Sequence, residues 1–396
     1  MTSVDATLSV VPPVAARGRG SIAILAVAAF VIVTTEYLIV GLLPGLARDM
    51  NLSISAAGQL VTLFAFTVML FGPVLTVLLS HFERKRLFVI ILLIFTAANA
   101  LAAVAPNIWV LAIARFIPAL VLPVFWGTAS ETAGQLVGPQ RAGRAVSQVY
   151  LGISAALLFG IPLGTLAADA IGWRGTFWIL SGLSFLMAVL TLAFMPTVAR
   201  PQRLRIAEQT RILKDPRFVA NVALSVVVFT AMFTAYTYLA DMLERIAGVA
   251  PAQVGWWLMG FGAIGLVGNW LGGRLVDRSP LGATVAFTVL LGVGMAASVP
   301  LAGSYGWLGL SLALWGIAYT ALFPICQVRV MKAATHAQAL AGTLNVSAAN
   351  AGTGLGAIIG GLAISQWGLG SIGYVATGIA VAAVLMVAWI ARLKSH

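Results

Sequence analysis

The chain has 396 residues, 61% of them apolar and only 9% charged, with a mean hydropathy of +1.02. Soluble domains carry about 25% charged residues. This chain has too few polar groups to cover a water-facing surface and must be solvated mostly by lipid. Its net charge of +12 is scattered through short loops, which excludes the single basic face of a nucleic-acid-binding protein.

Residues 1–20 lack apolar periodicity and predict a disordered cytoplasmic tail. Hydropathy then predicts an N-terminal bundle over 21–196, with spans near 21–44, 54–79, 87–105, 109–131, 144–170 and 175–196. A basic linker, 197–217, leads to a C-terminal bundle over 218–391, and a short cytoplasmic tail follows over 392–396. The spans of the second bundle fall near 218–240, 252–275, 281–302, 307–330, 338–364 and 371–391. Each is long enough to cross a bilayer. The first apolar run is too long for a signal-peptide core and continues into further spans, so it reads as a retained helix. The linker reads as a solvated segment; its alternative is an amphipathic helix on the inner leaflet.

An even number of spans puts both termini on one side. With that side cytoplasmic, Arg48, Arg174 and Arg245 are the only ones of the 23 Lys and Arg residues to fall outside, and Arg115 lies within a span. This is the positive-inside asymmetry, and it predicts a multi-pass protein with cytoplasmic termini. Cys326 is the single cysteine, so no intramolecular disulfide can form.

Glu36 is the one ionisable residue of the first span. A charge at that depth costs roughly 2.5–3.5 kcal/mol on insertion scales. By helical rise Glu36 lies about 12 Å from the outer end of its span, and Arg115 about 9 Å from the outer start of the fourth. The two therefore share a depth. A guanidinium favours a charged carboxylate and loss of water favours a neutral one, so a site exposed to each side in turn can load and release a proton. Glu36 is the expected proton carrier and Arg115 its modulator, because intramembrane charges mark function by default. The alternative is a permanent buried salt bridge between them.

Shifting the second half back by 197 residues sets Gly58 on Gly255, Phe64 on Phe261 and Leu78 on Leu275. Internal repeats of this kind are common in transporters. The same shift sets the segment around Thr76 and Ser80 on Gly272–Arg278, GGRLVDR. In that second copy Gly273 lets a neighbouring helix approach, and Asp277 can meet the positive end of a helix dipole. In the first copy, TVLLSHFERKR, Thr76 stands for Gly, Ser80 for Asp and Glu83 for a second Gly, while Arg84 and Arg86 remain. Glu131, near the cytoplasmic end of the fourth span, is the expected substitute partner for Arg84.

These residues carry a resemblance. GGRLVDR resembles the loop signature of the major facilitator superfamily between the second and third helices of each half. Gly160-Ile161-Pro162-Leu163-Gly164 resembles its Gly- and Pro-rich antiporter motif, with the usual Gly-Pro pair split by Ile161. The bland reading of that motif is a kinked helix. GWRGTF, Gly172–Phe177, matches a turn after the fifth helix, and TTEYLIVGLLP, Thr34–Pro44, resembles the first helix of the drug:proton antiporter branch. Within that branch the chain looks closest to sugar efflux transporters, arabinose efflux permeases, and chloramphenicol and purine-nucleoside exporters. The resemblance implies an all-α membrane protein of twelve transmembrane helices in two pseudo-symmetric bundles, working as a monomer in a bacterial inner membrane. It implies proton-coupled efflux of a small neutral or weakly polar solute such as a sugar. The alternatives are a multidrug, chloramphenicol-type or nucleoside exporter, or a facilitated-diffusion or uptake carrier. It makes Gly273, Asp277, Arg278, Arg84 and Glu131 a cytoplasmic latch. Arg115 matches the family's fourth-helix Arg, with Pro118 and Ala119 replacing the polar residue and Gly beyond it.

Mid-span polar and aromatic side chains are the expected substrate contacts: Tyr37, Trp126, Tyr236, Trp315, Tyr319, Asn345 and Asn350. Asn donates and accepts hydrogen bonds, suiting hydroxyl-bearing solutes, and aromatic faces pack on sugar rings. Asn345, Trp315 and Tyr37 lie farthest from the interfaces and are preferred. For any single aromatic the competing role is an interface belt or helix packing. An enzyme is not expected: His81, His336 and His396 fall in loops or the tail, no metal-ligand spacing occurs, and no phosphate loop is present. No cofactor is called for; the expected partners are a small solute, protons and lipid.

Overall fold

A computed structural model describes residues 14–51, 54–79, 81–197, 210–334 and 337–392. The elements among the described residues are all helical, without strands. Eleven helices among them are long and apolar enough to cross a membrane, and the apolar stretch Leu63–Leu79 of Ile54–Leu79 adds the second span. Among the described residues the chain is therefore an all-α membrane protein with twelve apolar helical spans.

In the first half the helices that carry the spans are Val14–Asp49 (apolar over Gly20–Ile39), Ile54–Leu79, Arg84–Ala103, Ile108–Val137, a fifth beginning at Ala142–Ala155, and a sixth ending at Phe194. The first helix thus starts at Val14, so residues 14–20 of the expected tail are helical; residues 1–13 lie outside the described residues. Ile161–Phe194 is interrupted at Gly172, whose φ of 78° is open to glycine at little cost, and the break turns the fifth span into the sixth. In the second half the spans are Pro216–Tyr236, Pro251–Arg278, Pro280–Ser298, Tyr305–Ala333, Gln338–Trp367 and Ile372–Ile390. Gly368, with φ 81°, makes the corresponding turn between the eleventh and twelfth spans. A short helix, Leu239–Arg245, caps the seventh span. Of the linker, residues 198–209 lie outside the described residues, and Thr210–Lys214 forms one 3-10 turn.

Helix starts are set by side-chain caps. Glu83 accepts from the Lys85 and Arg86 amides at 3.1 and 3.2 Å, Asn107 from Trp109 and Val110, and Asp215 from Arg217 at 2.8 Å. Each satisfies amides that the first turn leaves without partners. Glu83, expected only as a replaced glycine, thus starts the third span.

The two halves repeat one packing scheme. Spans 1·5, 1·6, 2·4, 3·4 and 3·6 touch in the first half, and 7·11, 7·12, 8·10, 9·10 and 9·12 in the second. Between halves the contacts are 2·11 with 5·8 and 4·11 with 5·10, so each pair maps onto its partner under a two-fold exchange. Phe64 and Phe261, aligned by the sequence repeat, both pack against the fourth helix of their half. Phe64 lies under Arg115 at 4.4 Å, and Phe261 contacts Trp315 and Tyr319 at 5.7 and 5.6 Å.

Candidate functional site

Spans 1, 4, 5, 7, 10 and 11 enclose a narrow central cavity of about 60 Å3. Glu36, half-buried on the first span, faces it. Arg115 does not pair with the Glu36 carboxylate. Its Nη1 donates to the Thr35 carbonyl at 2.7 Å and its Nη2 to the Glu36 carbonyl at 2.9 Å. Its guanidinium lies over the Phe64 ring, and Thr35 is held in turn by Asn99 Nδ2 at 3.2 Å. Among the described residues Glu36 is in no ion pair. A permanent salt bridge between Glu36 and Arg115 is therefore not what the chain builds. Arg115 is fixed by neutral dipoles, which leaves the carboxylate to the cavity.

The fifth span is shaped against the same helix. Ala156–Gly160 forms a π turn just before Pro162, which has no N–H and crowds the carbonyl four residues back. A Cβ on Gly160 would strike Thr34, and one on Gly164 would strike Leu38. Gly160, Pro162 and Gly164 therefore bring the fifth span close to the first on either side of the level of Glu36.

Of the expected substrate contacts, Tyr37, Trp126, Asn345 and Asn350 line the cavity. Trp126 packs on Tyr150 with centroids 4.5 Å apart. Trp315, Tyr319 and Tyr236 do not line it, and this corrects the expectation. Trp315 is fully buried between Phe261 and Gly294, on the eighth and ninth spans. Tyr319 stacks on Tyr236 at 4.5 Å and stands behind Phe233 and Phe323, which do form the wall. Depth along a span was readable from hydropathy; the face of the helix was not. Phe229, Phe233 and Phe323 were missed because an apolar residue in an apolar span carries no signal.

Asn345 also belongs to a buried polar chain. Arg329 Nη2 donates to Ser225 Oγ and Ser225 Oγ to Asn345 Oδ1, both at 2.7 Å. Asn345 Nδ2 donates to Gln327 Oε1 at 2.8 Å, and Gln327 Nε2 to Ser130 Oγ at 3.1 Å, crossing between the halves. Gln327 was not singled out from sequence.

The hydrogen bonds that join the halves cluster toward the end bearing Arg84, Arg144 and Arg278, the basic end. Asp277, in the last turn of the eighth span, accepts from the Gly143 amide at 2.8 Å and the Arg144 amide at 3.2 Å, at the start of Ala142–Ala155. The carboxylate thus sits at a helix N-terminus, where the dipole favours it. Lys332 Nζ approaches it at 3.7 Å. Gly273 makes room: a Cβ there would strike Ser147, whose Oγ donates to the Asn269 carbonyl at 2.6 Å. On the second span, Thr76 and Thr343 hydroxyls meet at 2.8 Å. Ser80 lies outside the described residues. Within the first half, Arg84 Nη2 donates to Glu131 Oε2 at 2.6 Å, and both side chains are largely buried. Arg278 is exposed beside Arg274 and Arg144. At the opposite end Arg174 pairs with Asp49 and donates to the Ala105 carbonyl at 3.1 Å, tying the starts and ends of three spans. Hydrogen bonds from Arg174 and Trp173 hold the Asp49 carboxyl below its ordinary pKa. Among the described residues no three His, Cys, Asp or Glu side chains converge as metal ligands.

The sequence profile of the Major Facilitator Superfamily matches residues 25–347 and 222–396. The chain belongs to the major facilitator superfamily. Relatives in this superfamily include the inner membrane transport protein YdhP of Escherichia coli O157:H7, 36% identical over 91% of this chain and 94% of its own. A probable sugar efflux transporter of Helicobacter pylori strain G27 is 30% identical over 89% of this chain and 90% of its own. Among solved structures, a variant of the Escherichia coli fucose:proton symporter FucP superposes with a TM-score of 0.72 at 14% identity, covering 94% of this chain and 98% of that one. A bacterial homologue of the iron transporter ferroportin, in an outward-facing state, gives 0.70 at 13% identity over 95% and 100%. At these identities the structures speak for the fold. The superfamily membership makes the chain a membrane transporter.

Proposed function

We propose that this transporter exports a small neutral or weakly polar solute, sugars foremost, in exchange for protons carried by Glu36. The observation that carries the reading is the Glu36 carboxylate facing the central cavity while Arg115 is spent on two backbone carbonyls. A carboxylate so placed meets solute and protons in one chamber, and binding of one can exclude the other. Tyr37, Asn345, Asn350 and the Trp126 face supply hydrogen bonds and a ring platform suited to a sugar. The relative from Helicobacter pylori, a probable sugar efflux transporter by name, supports the same class.

On this reading the chain works as a monomer in a bacterial inner membrane with the basic end cytoplasmic. Asp277, Gly273, Gly143 and the Arg84–Glu131 pair form the cytoplasmic latch, closed here, and the two bundles, 21–196 and 218–391, rock about the interface. Flat aromatic walls at Phe229, Phe233 and Phe323 favour one second reading, export of a flat amphiphile of the chloramphenicol or nucleoside kind.

The test is counterflow in proteoliposomes with an imposed pH gradient, using arabinose, a thiogalactoside, a nucleoside and chloramphenicol. Antiport predicts solute movement against its gradient with proton flux in the opposite sense, abolished by E36Q. Gradient-driven transport that persists in E36Q would sink the proton assignment, and flux indifferent to the pH gradient would make the protein a uniporter.

A further inference from the structure

At the basic end another cavity, about 240 Å3, lies on the protein surface between the fifth and eighth spans. Arg144, Arg274 and Arg278 line it together with Trp270, Leu271 and Leu275. Trp270, Arg274 and Arg278 recur every four residues and so form one stripe of the eighth helix. The Arg274 guanidinium lies 3.7 Å from the centre of the Trp270 ring. Trp270 and Leu275 are 49% and 38% exposed, and all three arginines are exposed. Among the described residues no acidic side chain lines the cavity. Asp277, the nearest carboxylate in sequence, is turned toward the Gly143 and Arg144 amides and Lys332.

Three arginines therefore line one cavity that has no acidic lining residue, beside an exposed apolar strip on the helix surface. The chemistry complementary to both parts is an amphiphile with an anionic head: phosphate oxygens for the arginines and acyl chain for Trp270, Leu271 and Leu275. Basic pockets between spans at a membrane surface suit such headgroups. We propose that this cavity is a binding site for an anionic phospholipid. Arg144 belongs to the first half and Arg274 and Arg278 to the second, so the headgroup bridges the halves within one residue of the Asp277 contact. A bound lipid steadies the closed basic end.

The experiment compares retention of phosphatidylglycerol and phosphatidylcholine by the purified, delipidated full chain, read by native mass spectrometry and by thermal shift. Phosphatidylglycerol should be retained and should raise the melting temperature dose-dependently, with phosphatidylcholine inert. In R144Q/R274Q/R278Q the retention should fall at least about tenfold, three charges having been removed. Inorganic phosphate at equal concentration should not displace the lipid, and W270A should weaken retention of lipid. Equal retention by wild type and triple variant, or no preference over phosphatidylcholine, overturns the site. Displacement by inorganic phosphate alone, with W270A silent, overturns the lipid in favour of a free anion. The thermal shift of the unaltered chain decides the matter should the triple variant be unstable.

Discussion

Arg115 reaches Glu36 through the backbone carbonyl, at 2.9 Å, and makes no ion pair with the carboxylate. The guanidinium sits one peptide away from the charge it was expected to neutralise, held by a second carbonyl at Thr35 and by the Phe64 ring. R115K keeps the charge but loses the fork that spans two carbonyls. It should slow transport with the pH dependence retained, whereas R115Q should shift the pH profile as well. Identical pH profiles for R115Q and wild type would show that Arg115 only braces the helices.

Asp277 joins the halves at the start of the fifth span, accepting two amides from the other half. Charge-assisted hydrogen bonds contribute about 1.5–3 kcal/mol. D277N should therefore shift the balance away from the closed basic end by about tenfold or more. Cysteines at Ser147 and Asn269, each of whose side chains reaches the other's carbonyl, would report it as slower cross-linking. An unchanged rate would assign the latch to other contacts.

Gly160 lies against Thr34 with no room for a methyl group. G160A should destabilise the first half by about 1–3 kcal/mol through overpacking. T34A removes Oγ1 and Cγ2, the two nearest atoms that the new methyl meets, and should restore part of the loss, so a double-mutant cycle in thermal unfolding should show coupling. Additive effects would mean that the fifth span relaxes away from the first.

Gln327 links the cavity residue Asn345 to Ser130 across the interface. Q327L removes the cross-half bond and leaves a buried Asn345 donor without its acceptor. The turnover rate should fall more than the apparent solute affinity, because the change bears on the movement of the halves. A loss confined to affinity would place Gln327 in solute binding instead.

The Asp49–Arg174 pair carries a pH signature outside the membrane-spanning core. Asp49 has its pKa lowered in the folded chain, so its contribution is complete above the ordinary carboxylate value of about 3.9. It is lost as pH falls through the lowered folded value. Melting temperature should drop in acid for the wild type, and D49N should remove that part of the drop. A wild-type and D49N pair with parallel pH curves would show that the contact adds nothing in solution, as exposed pairs often do.

Much of this protein was legible before folding. Twelve apolar runs, the basic loops and the 197-residue repeat follow from the cost of placing backbone and charge in lipid, which acts on each segment alone. Glu36 and Arg115 stood out for the same reason: a charge in an apolar span is conspicuous wherever it points. Direction is what only the tertiary structure decided. Trp315 and Trp126 have the same chemistry and both lie well inside spans, yet one is sealed between the eighth and ninth spans and the other lines the cavity. That difference depends on helix rotation, which packing partners set and uniformly apolar spans do not encode as periodicity. The free carboxylate of Glu36 was decided in the same way, by the approach of two helices that brought Arg115 to carbonyls within hydrogen-bond reach.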